Sequence, residues 1–118
     1  MKAHVFENSL VPLVVSLVFP VEAVTLGPLI FFKGAVSEDI LRHELVHVEQ
    51  YKEMYYVGLL ALYIFYWVQG YFKYRDIVVA YIVNPFEMEA RIAEEDPEYL
   101  CNRQPYAWRQ WVGHTHQD

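Results

Sequence analysis

The feature that most constrains the fold of this chain is the five-residue run His43-Glu44-Leu45-Val46-His47. On an α-helix, residues four positions apart lie on one face about one turn from each other, so both imidazoles can reach a single ion. Glu44 then lies close enough to accept a proton from a water molecule at that ion. This pattern is the H-E-x-x-H arrangement of zinc hydrolases. The alternative interpretation is a charged, histidine-containing helix face that binds no metal.

The composition indicates one folded domain and disfavours several functional classes. Residues 1–118 are 55% hydrophobic and 17% aromatic, which is enough to bury a modest core. The formal net charge of −6 disfavours a nucleic-acid partner, because phosphate binding needs clustered Lys and Arg. The single cysteine, Cys101, excludes an internal disulfide and a cysteine-rich zinc site.

Two apolar stretches raise the question of a membrane. Residues 54–72 carry no formal charge, but their five tyrosines and Gln69 suit a helix buried in protein better than one facing lipid. Residues 10–21 are shorter, and Glu7 precedes them where a signal peptide carries positive charge. We therefore expect a cytoplasmic protein without a spanning helix, with membrane association as the less favoured alternative.

Strand-forming residues precede the motif, and a capping signal introduces it. Residues 10–19 are apolar and predict a helix or a strand, with a proline near the start favouring a helix. Residues 21–33 contain β-branched and aromatic residues interrupted by Gly27-Pro28, which predicts two short strands or one kinked hairpin. Ser37 is the expected N-cap of the motif helix, which should run from about residue 38 to 54.

Further helices are expected after the motif. An aromatic-rich helix should extend to about Phe72, and residues 77–83 predict either helix or strand. Asn84 at an N-cap and a proline at the first helical position predict a helix over residues 85–95. Residues 97–118 contain prolines and a glycine and are expected to be mainly irregular.

A catalytic zinc ion usually takes three protein ligands and keeps one position open for water. In one arrangement, a third histidine follows ten residues after the first, beyond a helix-breaking glycine. Here Gln50 occupies the glycine position and Glu53 the ligand position. Because the helix continues, Glu53 lies roughly 9 Å further along the axis than His47 and cannot converge on the ion.

The other arrangement takes a carboxylate from a separate helix, and residues 84–90 provide the candidate. Glu87 falls in the first turn there, and the small Ala90 would let this helix pack closely on the motif helix. Glu89 points to another side, so Glu87 and Glu89 cannot both face the ion. The alternative role of Glu87 is a capping box with Asn84. We favour the ligand role, because the two histidines need a third partner.

These motifs resemble the gluzincin group of zinc metallopeptidases, and the similarity is closest to small phage and bacterial minimal zincins. The shared pattern is a Thr-Leu-Gly-Pro stretch, H-E-x-x-H-x-x-Q, an aromatic helix and Asn-Pro-x-E-x-E-A, found here at residues 25–28, 43–50, 55–68 and 84–90. The resemblance covers about residues 24–95. It departs at Arg91, where some members carry Asp, and the C-terminal subdomain of larger gluzincins has no counterpart in this sequence.

The resemblance implies an α+β, mainly helical fold: a minimal zincin-like core with an active-site helix, a short β-strand pair and a second glutamate-bearing helix. It implies Zn²⁺ held by His43, His47 and Glu87, with Glu44 as the general base in hydrolysis of a peptide or protein substrate. It also implies that the strand near residues 29–32 binds that substrate along a free edge; the alternative, which does not exclude this role, is a plain core strand.

The oxyanion donor and the functional class stay open. His114, His116, Arg91 and the tyrosines are the candidate donors. The alternative to a zinc endopeptidase is a catalytically weak zinc-binding accessory or interaction protein of phage type, in which the metal serves stability. An intact Glu44 favours the peptidase, and the missing subdomain favours the accessory protein. A membrane-embedded peptidase is a weaker third alternative, and the sequence predicts no oligomeric state.

Overall fold

The computed structural model describes residues 4–15 and 23–112. The chain is mainly helical with a small sheet, so the predicted α+β, mainly helical class is confirmed. The elements are β1 (His4–Phe6), α1 (Leu10–Val15), β2 (Ala23–Leu26), β3 (Leu29–Phe32), α2 (Glu38–Glu53), α3 (Val57–Tyr74), α4 (Ile77–Ile82), α5 (Pro85–Glu95), α6 (Tyr99–Asn102) and a 3₁₀ helix at Ala107–Trp111.

The sheet has three strands in the order β1-β3-β2, with β3 parallel to β1 and antiparallel to β2. The predicted strand pair is β2 and β3, joined by a turn in which Gly27 has a φ of 63°, a left-handed conformation that favours glycine. Strand β1 was not expected. Because β3 pairs with β1 on one side and β2 on the other, the expectation that residues 29–32 offer a free edge is wrong, and the two edge strands are β1 and β2.

The motif helix α2 packs against α5 across a layer of small side chains. Val46 of α2 lies against Ala90 and Ala93 of α5, and all three are fully inaccessible to solvent. Asn84 caps α5, because its side-chain oxygen accepts a hydrogen bond of 3.1 Å from the Phe86 N–H. The predicted start of α5 and the close packing at Ala90 are therefore confirmed. Both features fix the distance between the two helices that carry the candidate ligands.

Two further clusters of buried residues hold α2 in place. On the sheet side, Val48 of α2 packs with residues of β2 and β3, namely Ala23, Ile30 and Phe32. On the side of α3, an aromatic cluster joins α2 to α3, α5 and the 3₁₀ helix through Tyr51, Leu59, Phe86 and Trp108. Burial of such large apolar side chains is the main stabilising contribution to the fold.

The other helical predictions have mixed outcomes. Residues 77–83 form helix α4 for most of their length, which decides between the helix and the strand. Gly70 of α3 packs against α4 so closely that a Cβ there would lie 3.2 Å from the Cα of Ala80. Residues 97–112 contain α6 and the 3₁₀ helix, so the expectation of mainly irregular chain is wrong for this part. Within the described ranges, no helix combines the length and hydropathy that a membrane crossing requires.

Candidate metal centre

Helix α2 directs the side chains of His43 and His47 toward Glu87 on α5. Both residues are buried, with 7% and 6% of their surface exposed. Their Nε2 atoms lie 2.9 Å and 3.1 Å from the same atom, Oε1 of Glu87 on α5. The structure therefore brings together two imidazole nitrogens and one carboxylate oxygen from two helices. These are the three residues that the sequence predicts as metal ligands; that they bind an ion stays a prediction.

Glu44 lies beside this point but is held differently. Its Oε1 accepts a hydrogen bond of 2.7 Å from the hydroxyl of Thr25 on β2, and its Oε2 lies 3.8 Å from Nε2 of His43. Side-chain ligand atoms of His43, Glu44 and His47 all lie within 4.8 Å of one another. Of the two carboxylates, Glu87 makes the closer contact with the histidines, so its geometry suits a ligand and that of Glu44 suits a neighbouring base.

The capping box between Glu87 and Asn84, which was the alternative role of Glu87, is not formed. The Asn84 N–H donates to the backbone oxygen of Tyr81 at 3.3 Å. The carboxylate of Glu87 instead contacts the two histidines and accepts a hydrogen bond of 2.6 Å from the hydroxyl of Tyr63. Glu87 is 4% exposed. Its buried carboxylate therefore interacts with His43, His47 and Tyr63 and does not cap the helix.

Each histidine is oriented through its second ring nitrogen. Nδ1 of His43 lies 2.5 Å from Oε2 of Glu94, and Nδ1 of His47 lies 2.8 Å from Oε1 of Gln50. Oxygen acceptors at Nδ1 fix the proton there and leave Nε2 free to bind an ion, as is usual for histidine ligands. Sequence reasoning missed Glu94, although its seven-residue spacing from Glu87 places both on one face of α5.

A buried polar network extends from Gln50 on the side away from the candidate metal site. The Gln50 amide donates to Oε1 of Glu89 at 2.9 Å, and Glu89 has no exposed surface. Glu89 also accepts hydrogen bonds from Arg103 and from the Tyr99 hydroxyl. Arg103 pairs in turn with Glu53 at 2.7 Å. Glu53, rejected above as a ligand, and Glu89, assigned to another side of α5, therefore both lie in this network.

Replacing Arg103 by Met should lower the free energy of unfolding by about 3–5 kcal/mol, because it leaves the charge of Glu89 buried without its partner. Chemical denaturation monitored by circular dichroism measures this change as a lower transition midpoint. The matched control is Arg109→Met, because Arg109 is exposed, donates a long hydrogen bond of 3.4 Å to the oxygen of Tyr106 and lies 5.6 Å from the ring of the same residue. Equal effects of the two substitutions would contradict a stabilising role for the buried pair.

Two tyrosines stand at the polar end of the site. Burial raises the pKa of Tyr63 well above its ordinary value of 10, and burial together with the Glu87 charge also raises the pKa of Tyr81. Both phenols therefore keep their protons and can donate hydrogen bonds. Arg91, another candidate donor, gives a hydrogen bond to the backbone oxygen of Ile82. The remaining candidates, His114 and His116, lie outside the described residues.

Charges in the cluster set the protonation states. Burial alone would lower the pKa of His43, but hydrogen bonds to Glu87 and Glu94 outweigh it and raise that pKa to about 10. Burial would raise the pKa of Glu87, but the two imidazoles hold it well below its ordinary range. Burial raises the pKa of Glu44 despite the nearby histidines. Without a bound ion, the cluster thus contains protonated imidazole facing ionised carboxylate.

A pocket of about 220 Å³ opens next to the cluster between β2 and α3. Its walls are mainly apolar and include Val24, Leu26, Leu59 and Leu60. At its polar end lie Glu44, His47 and Glu87, together with the phenols of Tyr63 and Tyr81. An apolar cleft that ends at convergent ionisable groups is the usual form of a small binding or catalytic site.

The donor atoms fit an ion of the zinc type. In a tetrahedral site with Zn–N bonds of about 2.0–2.1 Å, neighbouring ligand atoms lie about 3.4 Å apart. The contacts of 2.9 Å and 3.1 Å approach that spacing, so a small outward movement of Glu87 would accommodate the ion. Imidazole with one carboxylate is a donor set that zinc accepts.

No protein-family model, curated protein or solved structure matches this chain.

Proposed function

We propose that this protein is a zinc-dependent metallopeptidase of the gluzincin type. His43, His47 and Glu87 would hold the ion, and Glu44 would act as the general base. The observation that carries the proposal is the convergence of both Nε2 atoms on one carboxylate oxygen, with a second buried carboxylate beside them. When bound, zinc would lower the pKa of a coordinated water toward about 7 and polarise the carbonyl of the peptide bond.

Glu44 is suited to proton transfer by its surroundings. The Thr25 hydroxyl fixes one carboxylate oxygen, and the other oxygen lies 3.8 Å from Nε2 of His43. Burial raises the pKa of Glu44, and a base whose pKa approaches the working pH transfers protons efficiently in both directions. In the proposed reaction Glu44 takes a proton from the attacking water and later delivers it to the leaving amine.

The two phenols provide hydrogen-bond donors for the reaction. Tyr63 is engaged with Oε2 of Glu87 at 2.6 Å and keeps that carboxylate oriented toward the histidines. Tyr81 lines the same end of the pocket and keeps its proton, and a hydrogen bond with Glu87 is among the causes that raise its pKa. We assign to Tyr81 the stabilisation of the negative charge that develops on the carbonyl oxygen of the substrate.

The pocket and the edge strand indicate a peptide substrate. Among the described strands, β2 has one unpaired edge, and its residues line the pocket. An extended peptide can add to such an edge by backbone hydrogen bonds. The pocket volume of about 220 Å³ exceeds the ~150 Å³ of a cavity that binds benzene, so it has room for one apolar side chain. A cytoplasmic location and the absence of a nucleic-acid partner remain predictions from the sequence.

Metal analysis combined with a hydrolysis assay tests this proposal. Purified protein should contain about one zinc ion per chain and should cleave a quenched fluorescent peptide with an apolar residue at its centre. A chelator should remove both zinc and hydrolysis, and added zinc should restore them. A folded, metal-free and inactive protein would overturn the proposal. Bound zinc without cleavage of any peptide in a mixed pool would favour the accessory zinc-binding alternative.

Zinc binding at pH 7 should release at least one proton from the protein. In the metal-free protein the pKa of His43 is about 10, so its imidazole is protonated at pH 7 and must lose that proton before Nε2 can bind the ion. Zinc affinity should therefore rise as the pH increases toward 10. Calorimetric titration in two buffers with different ionisation enthalpies measures the number of protons. An observed heat that is the same in both buffers would contradict this charge state.

The matched variant for this experiment is Glu94→Gln. Its amide oxygen can still accept a hydrogen bond from Nδ1 of His43, but the negative charge that helps to raise the His43 pKa is removed. The variant should release fewer protons at pH 7 than the unmodified chain. It should also bind zinc about 10- to 100-fold more weakly, as is usual when the carboxylate partner of a histidine ligand is lost.

A further inference from the structure

Helix α3 has two apolar faces, and only one is covered. Leu59 and Gly70 point inward and are buried. On the opposite side, apolar residues recur every three or four positions and are exposed to solvent. We call this surface the α3 stripe; it consists of Val57, Leu60, Ala61, Ile64, Phe65, Val68 and Phe72.

The α3 stripe is large for a surface that faces only water. Val57 is 75% exposed, Ile64 59%, Phe65 56% and Phe72 61%. With Leu60 and Val68, these side chains present on the order of 600 Å² of apolar surface, the upper end for the largest patch on a typical monomer. A stable interface of standard size takes about 800 Å² from each partner. The stripe is therefore close to the area that one helix-mediated interface needs.

The stripe is also complementary to itself. The positions of its apolar residues are nearly symmetric about the midpoint between Ile64 and Phe65. An antiparallel copy therefore places Ile64 opposite Phe65 and Val57 opposite Phe72. Ala61 would face Val68 in the same register. Antiparallel packing also aligns the helix dipoles favourably. A two-fold axis at this midpoint therefore buries every apolar side chain of the stripe against an apolar group, except for Leu60, which faces Gln69 of the second copy.

We propose that the α3 stripe is the interface of a homodimer in which two copies of α3 pack antiparallel about a two-fold axis. Such an interface is isologous, because both copies use the same surface. Residues 57–72 carry no formal charge, so the net charge of −6 per chain lies elsewhere and does not oppose contact directly. The proposal stands independently of the metal centre.

Charge argues against a membrane as the occupant of this surface. Helices that lie on membranes carry clustered Lys and Arg beside their apolar face. Within residues 57–75 of the sequence, the basic residues are Lys73 and Arg75 at one end of α3, and the chain is acidic as a whole. The dimer would also affect the pocket, because Leu60 lines it and lies on the edge of the stripe.

Sedimentation velocity of the full chain tests the proposal. At tens of micromolar, the unmodified chain should sediment with twice the 14.0 kDa mass of one chain. Ile64→Glu places carboxylates beside the two-fold axis and should raise the dissociation constant at least 100-fold. The matched control is Ile92→Glu on α5, because Ile92 is 43% exposed and lies outside the stripe. A monomeric unmodified chain, or an Ile64→Glu variant that stays dimeric, would overturn the proposal.

A mixing experiment tests the register and does not depend on loss of association. Phe65→Lys alone should also give a monomer. An equimolar mixture of the Ile64→Glu and Phe65→Lys chains should recover a dimer, because the introduced carboxylate then faces the introduced ammonium across the axis. A mixture that stays monomeric would overturn the antiparallel arrangement. Co-sedimentation of a monomeric unmodified chain with phosphatidylcholine vesicles would overturn the dimer and assign the stripe to a membrane.

Discussion

Replacing Glu44 by Gln should reduce peptide hydrolysis by about 10²- to 10⁴-fold, the usual contribution of a positioned general base. Gln has nearly the same shape and can still accept a hydrogen bond from the Thr25 hydroxyl, so the local structure should be retained. The amide cannot accept a proton at neutral pH, and the attacking water would lose its base. Zinc content should remain at about one ion per chain. The measurements are the turnover number and the metal content of the same preparation.

The control for this substitution is Glu49→Gln on the same helix. The carboxylate of Glu49 is 42% exposed and, among the described residues, forms an ion pair only with Lys52, so hydrolysis should stay within about twofold of the unmodified chain. Two results would change the assignment of Glu44. Unchanged hydrolysis would remove it as the base, whereas loss of zinc together with hydrolysis would make it a ligand. The second result would agree with the short distances among His43, Glu44 and His47.

Replacing Glu87 by Gln should weaken zinc binding by at least about 100-fold, more than the 10- to 100-fold expected for loss of an outer hydrogen-bonding partner. The carboxylate of Glu87 is ionised at neutral pH, because the two imidazoles hold its pKa well below the ordinary range. A neutral amide oxygen is a much weaker donor for zinc than a carboxylate. Competition with a chromophoric chelator measures the affinity directly, whether or not the protein hydrolyses peptides.

Two glutamates on α5 make the comparison specific. Glu95→Gln changes an exposed residue and should leave the affinity unchanged. Glu89→Gln alters the network with Arg103 and should lower the stability of the fold, but it should weaken zinc binding less than Glu87→Gln does. The opposite order, with Glu89→Gln having the larger effect on affinity, would reassign the third ligand to Glu89.

The sequence predicted the positions of the candidate site residues where the relevant contacts are local in the chain. His43 and His47 share a helical face because of their spacing alone, and the start of α5 followed from Asn84 and Pro85. Together these placed Glu87 in the first turn of a second helix, where the structure finds it. Whether these residues bind zinc remains a prediction.

The contacts that sequence reasoning missed join segments far apart in the chain. Thr25 reaches Glu44 from the edge strand, and Tyr63 reaches Glu87 from α3. Glu94 could have been found from its helical spacing, but nothing local indicated that His43 would meet it. Strand β1 was missed for a related reason, because its three exposed residues have no hydrophobic pattern that marks them as a strand.

The sequence by itself determined the helix that carries the two histidines, the capped helix that carries Glu87, and the strand pair before them. Those features depend on spacing, caps and turns within a few residues. Only the tertiary structure decided that Glu87 faces the histidines and Glu89 does not, that β3 is the central strand while β2 lies at an edge, and that one face of α3 stays exposed. Each of these depends on how elements pack, and packing is fixed by side chains that are distant in the chain and fill one core.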